Sequence, residues 1–377
     1  MAGLERIFPK LVSFYFLCLV IAIVLSRRVQ GGGGSSSSTP PPGTRPILGS
    51  PEKAKNPVFD LHHRNPAKSM LFDIKFPNTP ERKGVDAQNY ANKLMKEVPK
   101  FAQKEDPNLK MTGESCAHGL GSLYVVKSDE GTILYSVCFN DATASAIYST
   151  HTISLSGQQE PEHSSHISFK EKYTLAGWKP TKVTELYSAE NQTEAFNAVF
   201  IPFTNADYKM GIYLSRNHLT PHADFMQVKD QKLTYFFQNC FPGMQSMNGQ
   251  NWAKVEAYGR SLSIEMKETM HIHTGVYGIL KKKTKKGEMK NVYLDLVNQK
   301  IEVPLVVWKL VTHAKTQATI AFFTSNDTDM DEKEIKRFST LCNSVCDEFG
   351  YKFNNENVSA GYTLCCSYED FAKHIKF

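Results

Sequence analysis

Hydrophobic and polar positions divide the chain into three regions. Leu11 to Ser26 carries no charge, with Arg6 and Lys10 before it and Arg27 and Arg28 after it. Its length falls between a signal-peptide core and a full bilayer span, so residues 1–28 read as a signal peptide or a signal anchor. Residues 29–88 hold few apolar runs and include the low-complexity stretch Gly31 to Gly43, which reads as a linker stiffened at its proline end. Residues 89–377 read as the folded domain. Tyr90, Leu94, Val98 and Phe101 have helical spacing over 89–103, interrupted by Pro99. Beyond Lys110 short β-rich runs dominate. Strands are predicted over 122–127, 131–139 and 146–155, the first two joined by the turn Ser128-Asp-Glu-Gly. Further strands are predicted over 197–203, 233–238, 270–279, 291–294 and 304–312. Trp252, Val255, Gly259, Leu262 and Met266 repeat at intervals of three and four, which predicts a helix over 250–268 with one buried stripe; another is predicted over 332–348. Strands and helices without βαβ alternation imply an α+β domain with a mixed or antiparallel sheet.

Cysteine usage and charge add a destination. Seven cysteines lie beyond the apolar segment, Cys116, Cys138, Cys240, Cys342, Cys346, Cys365 and Cys366, so at least one has no intrachain partner. Their spacing fits no usual zinc module, and disulfides of unspecified connectivity are expected. Asn191, Asn326 and Asn357 each begin a glycosylation sequon. Together with the leader these features favour export over the cytosol. The net charge of +6 favours a polyanionic partner, and much of it sits in Lys281-Lys-Lys-Thr-Lys-Lys286, either a solvated hairpin tip or a phosphate-tracking patch. His271 and His273 share a strand face, but no third ligand stands at a recognisable spacing.

The candidate chemistry begins at Leu214-Ser-Arg-Asn-His-Leu-Thr-Pro-His-Ala-Asp-Phe225. A neutral histidine deprotonates water near physiological pH, and His218 is the candidate base. Magnesium takes oxygen ligands and keeps most of its waters, so one amide oxygen, that of Asn248, suffices to hold it. Glu256 is placed to accept hydrogen bonds from metal-bound waters, and Arg216 or Arg260 to steady charge at phosphorus. Asn248 precedes the predicted helix, on which Glu256 and Arg260 form an i,i+4 pair. Read singly, each has a plainer role: a polar loop histidine, an N-cap asparagine, a surface ion pair.

Arg216-Asn-His-Leu219 resembles the Asp-Arg-Gly-His motif of the DNA/RNA non-specific endonucleases, the ββα-metal (His-Me finger) family that includes endonuclease G. The stretch from Thr234 through Asn248 and Trp252 to Glu256 and Arg260 is similar to the second motif without a gap. His271-Ile-His-Thr-Gly-Val-Tyr-Gly and Ile301 to Val311 resemble later strands of that fold. Within the family the chain looks closest to the secreted arthropod double-stranded-RNA and DNA nucleases. The resemblance implies His218 as base, Asn248 as direct ligand of Mg²⁺ (or Mn²⁺), Glu256 on the metal's water shell, and Arg216 and Arg260 near the phosphate. It implies Asn239 as a further active-site residue supporting the hydrogen bonds of the site.

Three positions depart from the motif: Ser215 for its Asp, Asn217 for its Gly, and Gly243 for the usual Gln after Pro242. A side chain at Asn217 would crowd the scissile phosphate, which keeps open an inactive nuclease-like module that only binds nucleic acid or protein. The expected partners are DNA and RNA, with products bearing 5′-phosphates. A homodimer is usual for the family. Membrane attachment through residues 11–26 remains open, with a secreted protein expected and membrane-anchored or mitochondrial ones as alternatives.

Overall fold

The structure, a computed structural model, describes residues 106–155, 169, 183–200 and 205–375. The predicted leader, linker and helix over 89–103 lie outside the described residues, as do the apolar stretch 11–26 and Cys18. Among the described residues no helix is long and apolar enough to cross a membrane.

An eight-stranded antiparallel sheet forms the frame. Its strands are β1 (Leu109–Cys116), β2 (Gly121–Lys127), β3 (Ile133–Asn140), β4 (Ser145–Ile153), β7 (Met270–Ile279), β12 (Pro304–His313), β13 (Thr319–Ser325) and β14 (Thr363–Ser367), in the order β1-β2-β3-β4-β7-β12-β13-β14. Between β4 and β7 come helix α1 (Ala189–Val199), the antiparallel pair β5 (Leu214–His218) and β6 (Cys240–Met244), and helix α2 (Ala253–Met266). Between β7 and β12 lie β8 (Lys281–Lys283), β9 (Met289–Asn291), β10 (Tyr293–Asp295) and β11 (Lys300–Glu302), paired as two small hairpins. Helix α3 (Glu332–Ser339) and helix α4 (Tyr368–His374) flank the C-terminal edge. The molecule is α+β, and β5-β6-α2 is a strand–strand–helix finger.

β12 explains how the two faces are covered. It reads as a nearly unbroken apolar run because both faces are buried. Val307 and Val311 face one side with Ile272, Val255 and Trp252, and Val306, Trp308 and Leu310 face the other with Phe323, Leu364 and Phe371. On the first face α2 comes close to the sheet through Gly259, where a Cβ would stand 3.2 Å from Ile272 Cδ1. The helical stripe bends from the predicted one: Trp252, Val255 and Gly259 are buried, but Ser263 continues it and Met266 is exposed.

The cysteine connectivity follows from strand alternation. Adjacent residues of a strand point to opposite faces, so Cys365 and Cys366 of β14 cannot serve the same side. Cys366 joins Cys342 on the α4 face, and Cys365 joins Cys346 on the other. The helix predicted over 332–348 therefore stops at Ser339, because the chain beyond it must send one cysteine to each face of β14. Its start is fixed by a capping box between Asp331 and Glu334. A third disulfide, Cys116–Cys138, links β1 to β3, and the unpaired cysteine is the buried Cys240.

Two predicted strands do not form among the described residues, and positions 201–203 of the first lie outside those residues. Residues 197–199 end α1, whose N-cap Ser188 accepts from the Asn191 amide. Residues 233–238 form 3-10 turns, because Tyr235, Phe236 and Phe237 are all buried and an alternating strand would send the middle one outward.

Two buried amides hold the finger to its surroundings. Gln192 of α1 accepts from Leu214 N at 2.9 Å and donates to Leu214 O at 2.8 Å. Asn326 accepts from Met244 N at 2.8 Å and donates to Pro304 O at 2.8 Å and Pro242 O at 3.3 Å. The Asn326 sequon is thus closed to a glycan in the folded protein, whereas Asn357 is exposed. Asn326→Ala should lower stability by about 3 kcal/mol, since it orphans several backbone groups at once. Urea melts of the two proteins differing by well under about 1 kcal/mol would mean that water replaces those bonds.

Candidate active site

β5 presents its side chains alternately, so Arg216 and His218 share one face and Ser215 and Asn217 the other. The first face carries the aromatic wall of the site. The His218 ring lies 4.6 Å from Tyr235, 4.9 Å from Phe169 and 5.9 Å from His222, centroid to centroid. The Arg216 guanidinium stands 5.7 Å from the Phe169 ring and 5.9 Å from that of Tyr187. His218 Nε2 is buried with no hydrogen-bond partner among the described residues. Burial, with His222 beside it, lowers the His218 imidazole to about 3.

The opposite face accounts for the departures from the motif. Asn217 is only 1% exposed and lies against Gly243, the register partner of Ser215. A Cβ at Gly243 would fall inside the van der Waals envelope of Asn217 Nδ2. Ser215 Oγ donates to Asn217 Oδ1 at 3.1 Å, and also lies 3.2 Å from Gly243 O. Asn217 and Gly243 are therefore complementary: the Asn217 side chain occupies the space that a side chain at position 243 would need. Asn217 faces away from Arg216 and His218, so the expected crowding at the His218 face does not arise.

Asn239 is buried, and all of its amide's hydrogen-bonding capacity near His218 goes to backbone. Its Oδ1 accepts from Thr220 N, and its Nδ2 donates to Thr220 O and Thr234 O, each at 2.9 Å. With Leu219 N donating to Asn239 O at 3.0 Å, these bonds fix the chain leaving His218. Asn239 is a positioning residue.

Asn248 lies inside the helical run rather than before it. Helix begins at Gln245, and a π turn spans Asn248–Trp252 before α2. Such insertions recur at functional sites. The Asn248 side chain is half-buried and makes no hydrogen bond among the described residues, which leaves its amide oxygen available. Glu256 follows on α2, where burial pushes its carboxyl up to about 7 against the pull of Lys309 and Arg260.

Arg260 does not pair with the Glu256 carboxylate. Its guanidinium donates to Asp224 Oδ1 at 2.8 Å and to the Glu256 carbonyl at 3.3 Å. Asp224 comes from the 3-10 turn His222–Asp224, six residues past His218. Its Oδ2 accepts from His151 Nε2 of β4 at 2.8 Å. Burial alone would raise the Asp224 carboxyl, but the His151 hydrogen bond and the charges of Lys309 and Arg260 overrule it and hold it at about 2. Lys309, on β12 and only 1% exposed, projects to the same face, with Nζ 5.8 Å from the Trp252 ring centroid. Sequence reasoning missed His151, Asp224 and Lys309. The signal for Lys309 was present, as a lone charge inside an apolar strand.

Among the described residues no group of three or more His, Cys, Asp or Glu side chains could cage a metal. A hydrated ion on one amide oxygen, with a carboxylate nearby for its waters, is what Asn248 and Glu256 suit.

Two outcomes are expected. Gly243→Ala should destabilise by about 1–3 kcal/mol, and most of that loss should vanish in an Asn217→Gly background; additive losses in chemical denaturation would disprove the complementarity. For the metal-free protein, His218 and His273 are held neutral, at about 3 and about 4, by burial first. Their folded values lie below the ordinary 6.5, so their contribution to stability is present above 6.5 and is lost as pH falls towards 3. His218→Gln should flatten that acid limb, and an unchanged slope would count against burial of the imidazole.

Residues 126–371 match the DNA/RNA non-specific endonuclease family. A salivary endonuclease of Lutzomyia longipalpis is 33% identical over 275 residues, 70% of this chain and 63% of that protein. The salivary protein Tsal1 of Glossina morsitans morsitans is 24% identical over 281 residues, 71% of this chain and 67% of that protein. Thus this chain spans less than two thirds of the Lutzomyia protein's length. A solved EndoG/EndoGI complex aligns at 17% identity over 52% of this chain and 74% of the solved one, with a TM-score of 0.30, too slight a likeness to support any argument. With the match covering the β5-β6-α2 finger and six of the eight strands of the sheet, the chain belongs to the DNA/RNA non-specific endonuclease family.

Proposed function

We propose that this protein is a Mg²⁺-dependent, sugar-non-specific endonuclease that hydrolyses phosphodiester bonds in DNA and RNA, including duplex RNA, and leaves 5′-phosphate ends. The observation that carries this reading is that Arg216 and His218 share one face of β5 while the loop beyond His218 is tied through the Asp224–Arg260 ion pair to the helix that carries Glu256 and follows Asn248, in a chain of this family. Mn²⁺ would serve the same ligand chemistry.

His218 accepts the proton of the attacking water on its neutral imidazole. The low affinity of this imidazole for a proton belongs to the substrate-free protein. A phosphate brought against the ring stabilises the imidazolium and raises its basicity. Arg216, exposed and held over Phe169 and Tyr187, is positioned to contact that phosphate. Asn248 would hold the divalent ion and Glu256 would order its waters; the ion supplies neutralisation of the charge that develops on phosphate and leaving oxygen. Arg260 steadies the same region through Asp224 and the Glu256 carbonyl, and Asn239 fixes the backbone that carries His218.

The three disulfides and the salivary names of the relatives support secretion. Homodimerisation and attachment through residues 11–26 are further parts of the proposal, to be tested on the purified full chain by light scattering and by membrane fractionation.

One observation favours the second reading, a nucleic-acid-binding module without turnover: Phe169 and Tyr235 lie over His218 and leave Nε2 sealed from solvent. Incubating the full chain with plasmid DNA and long duplex RNA, with Mg²⁺ or with EDTA, separates the two. Cleavage should require the metal and fall by about 10²–10⁴-fold in His218→Ala, the range for loss of a general base. Tight binding with no metal-dependent cutting would establish the binding module instead.

A further inference from the structure

The lysine cluster flagged in the sequence forms the β8-β9 hairpin, and its charges are more numerous than the fold requires. Lys282 stands opposite Lys290, a like-charge pair that disfavours the hairpin. Lys282 is neutralised by Asp327 at 2.6 Å and by Asp329. Lys281, Lys283, Lys285, Lys286 and Lys290 are all exposed, and none makes an ion pair among the described residues. Within the hairpin the one acidic residue is Glu288.

The hairpin is fastened to the elements that carry the site. Its turn meets the end of α1, where Thr284 bridges Phe200 and Lys285 N donates to Val199 O at 3.2 Å. α1 in turn grips Leu214 of β5 through Gln192. On its other side Lys282 binds Asp327, the neighbour of Asn326, which grips Pro242 and Met244 of β6. Both routes lead to the Leu214–Met244 end of the finger, the end from which the chain enters the helix bearing Asn248. Lys281 and Lys283, two apart on a strand, leave it on the same side from Cα atoms about 6.4–6.8 Å apart.

We propose that the β8-β9 hairpin is a second nucleic-acid contact, a rigid basic arm that binds the phosphate backbone of the duplex beyond the scissile bond through Lys281, Lys283, Lys285 and Lys286. The proposal rests on nucleic acid being the substrate, but not on turnover. A duplex suits the arm better than an anionic membrane, because surface-seeking elements pair their lysines with an apolar face. Here Met289 is the only large hydrophobic side chain exposed on the hairpin.

The test is equilibrium binding of the full chain to a labelled DNA duplex of about 20 base pairs, in EDTA, across a salt series; each phosphate contact adds about 0.9 to the salt slope. Replacing Lys281, Lys283, Lys285 and Lys286 by Gln should make the slope shallower by about 2–4 and weaken binding about tenfold or more near 0.1 M salt. The melting temperature should stay as in the wild type. A milder Lys285→Gln, Lys286→Gln variant should show about half the change in slope, which guards against a misfolded quadruple variant. Unchanged slopes in both variants would overturn the proposal. So would loss of binding to phosphatidylserine vesicles with duplex binding intact, which would assign the arm to membranes. Hairpin-dependent binding by a wild-type chain that never cuts would uphold the arm while ending the nuclease reading.

Discussion

The buried carboxylate of Asp224 is the constraint on which the site depends. It lies out of water, where an unpaired charge would be costly, and three different elements supply its partners: His151 from β4, Arg260 from α2 and Lys309 from β12. Removing Arg260 or Lys309 leaves charge uncompensated, and removing His151 takes away a hydrogen bond, so the sheet, the helix and the loop after His218 must come together as a unit. Two carboxylates, Asp224 and Glu256, face two cations, Arg260 and Lys309, and His151 stays neutral under the pressure of burial. Opposite charges in the cluster offset one another, which lowers the cost of burying it.

Around that cluster the finger is held by hydrogen bonds rather than by its own packing. A five-residue strand pair is too short to be stable alone. Gln192, Asn239 and Asn326 each donate and accept on backbone at a different point of β5 and β6 and their connections. A buried amide of this kind is a strict spacer, since its geometry is met at one separation only. The backbone around His218 is thereby held, and Asn239 and Asn326 make their amide hydrogen bonds to backbone alone.

The exchange between Asn217 and Gly243 shows how a motif can change without changing the face that matters. Strand alternation directs position 217 away from His218, and the glycine across from Ser215 leaves room for the Asn217 side chain. The cost is local: Asn217 Nδ2 is buried without a partner among the described residues. That is a matter of stability, on the side of the hairpin remote from Arg216 and His218.

By itself the sequence determined the α+β class, the long strands β7 and β12, the helix bearing Glu256 and Arg260, and the grouping of Arg216 and His218, because periodicity and short spacings are local properties. It placed β6 and α1 poorly, because an aromatic run buried on all sides looks like a strand. Tertiary structure alone decided which cysteines join, since that depends on the two faces of β14. It decided that Arg260 pairs with Asp224 rather than Glu256, and it brought in His151 and Lys309 from strands far along the chain. Such long-range pairings leave no repeating signal in the sequence; they are fixed by which buried charges must find one another once the sheet has formed.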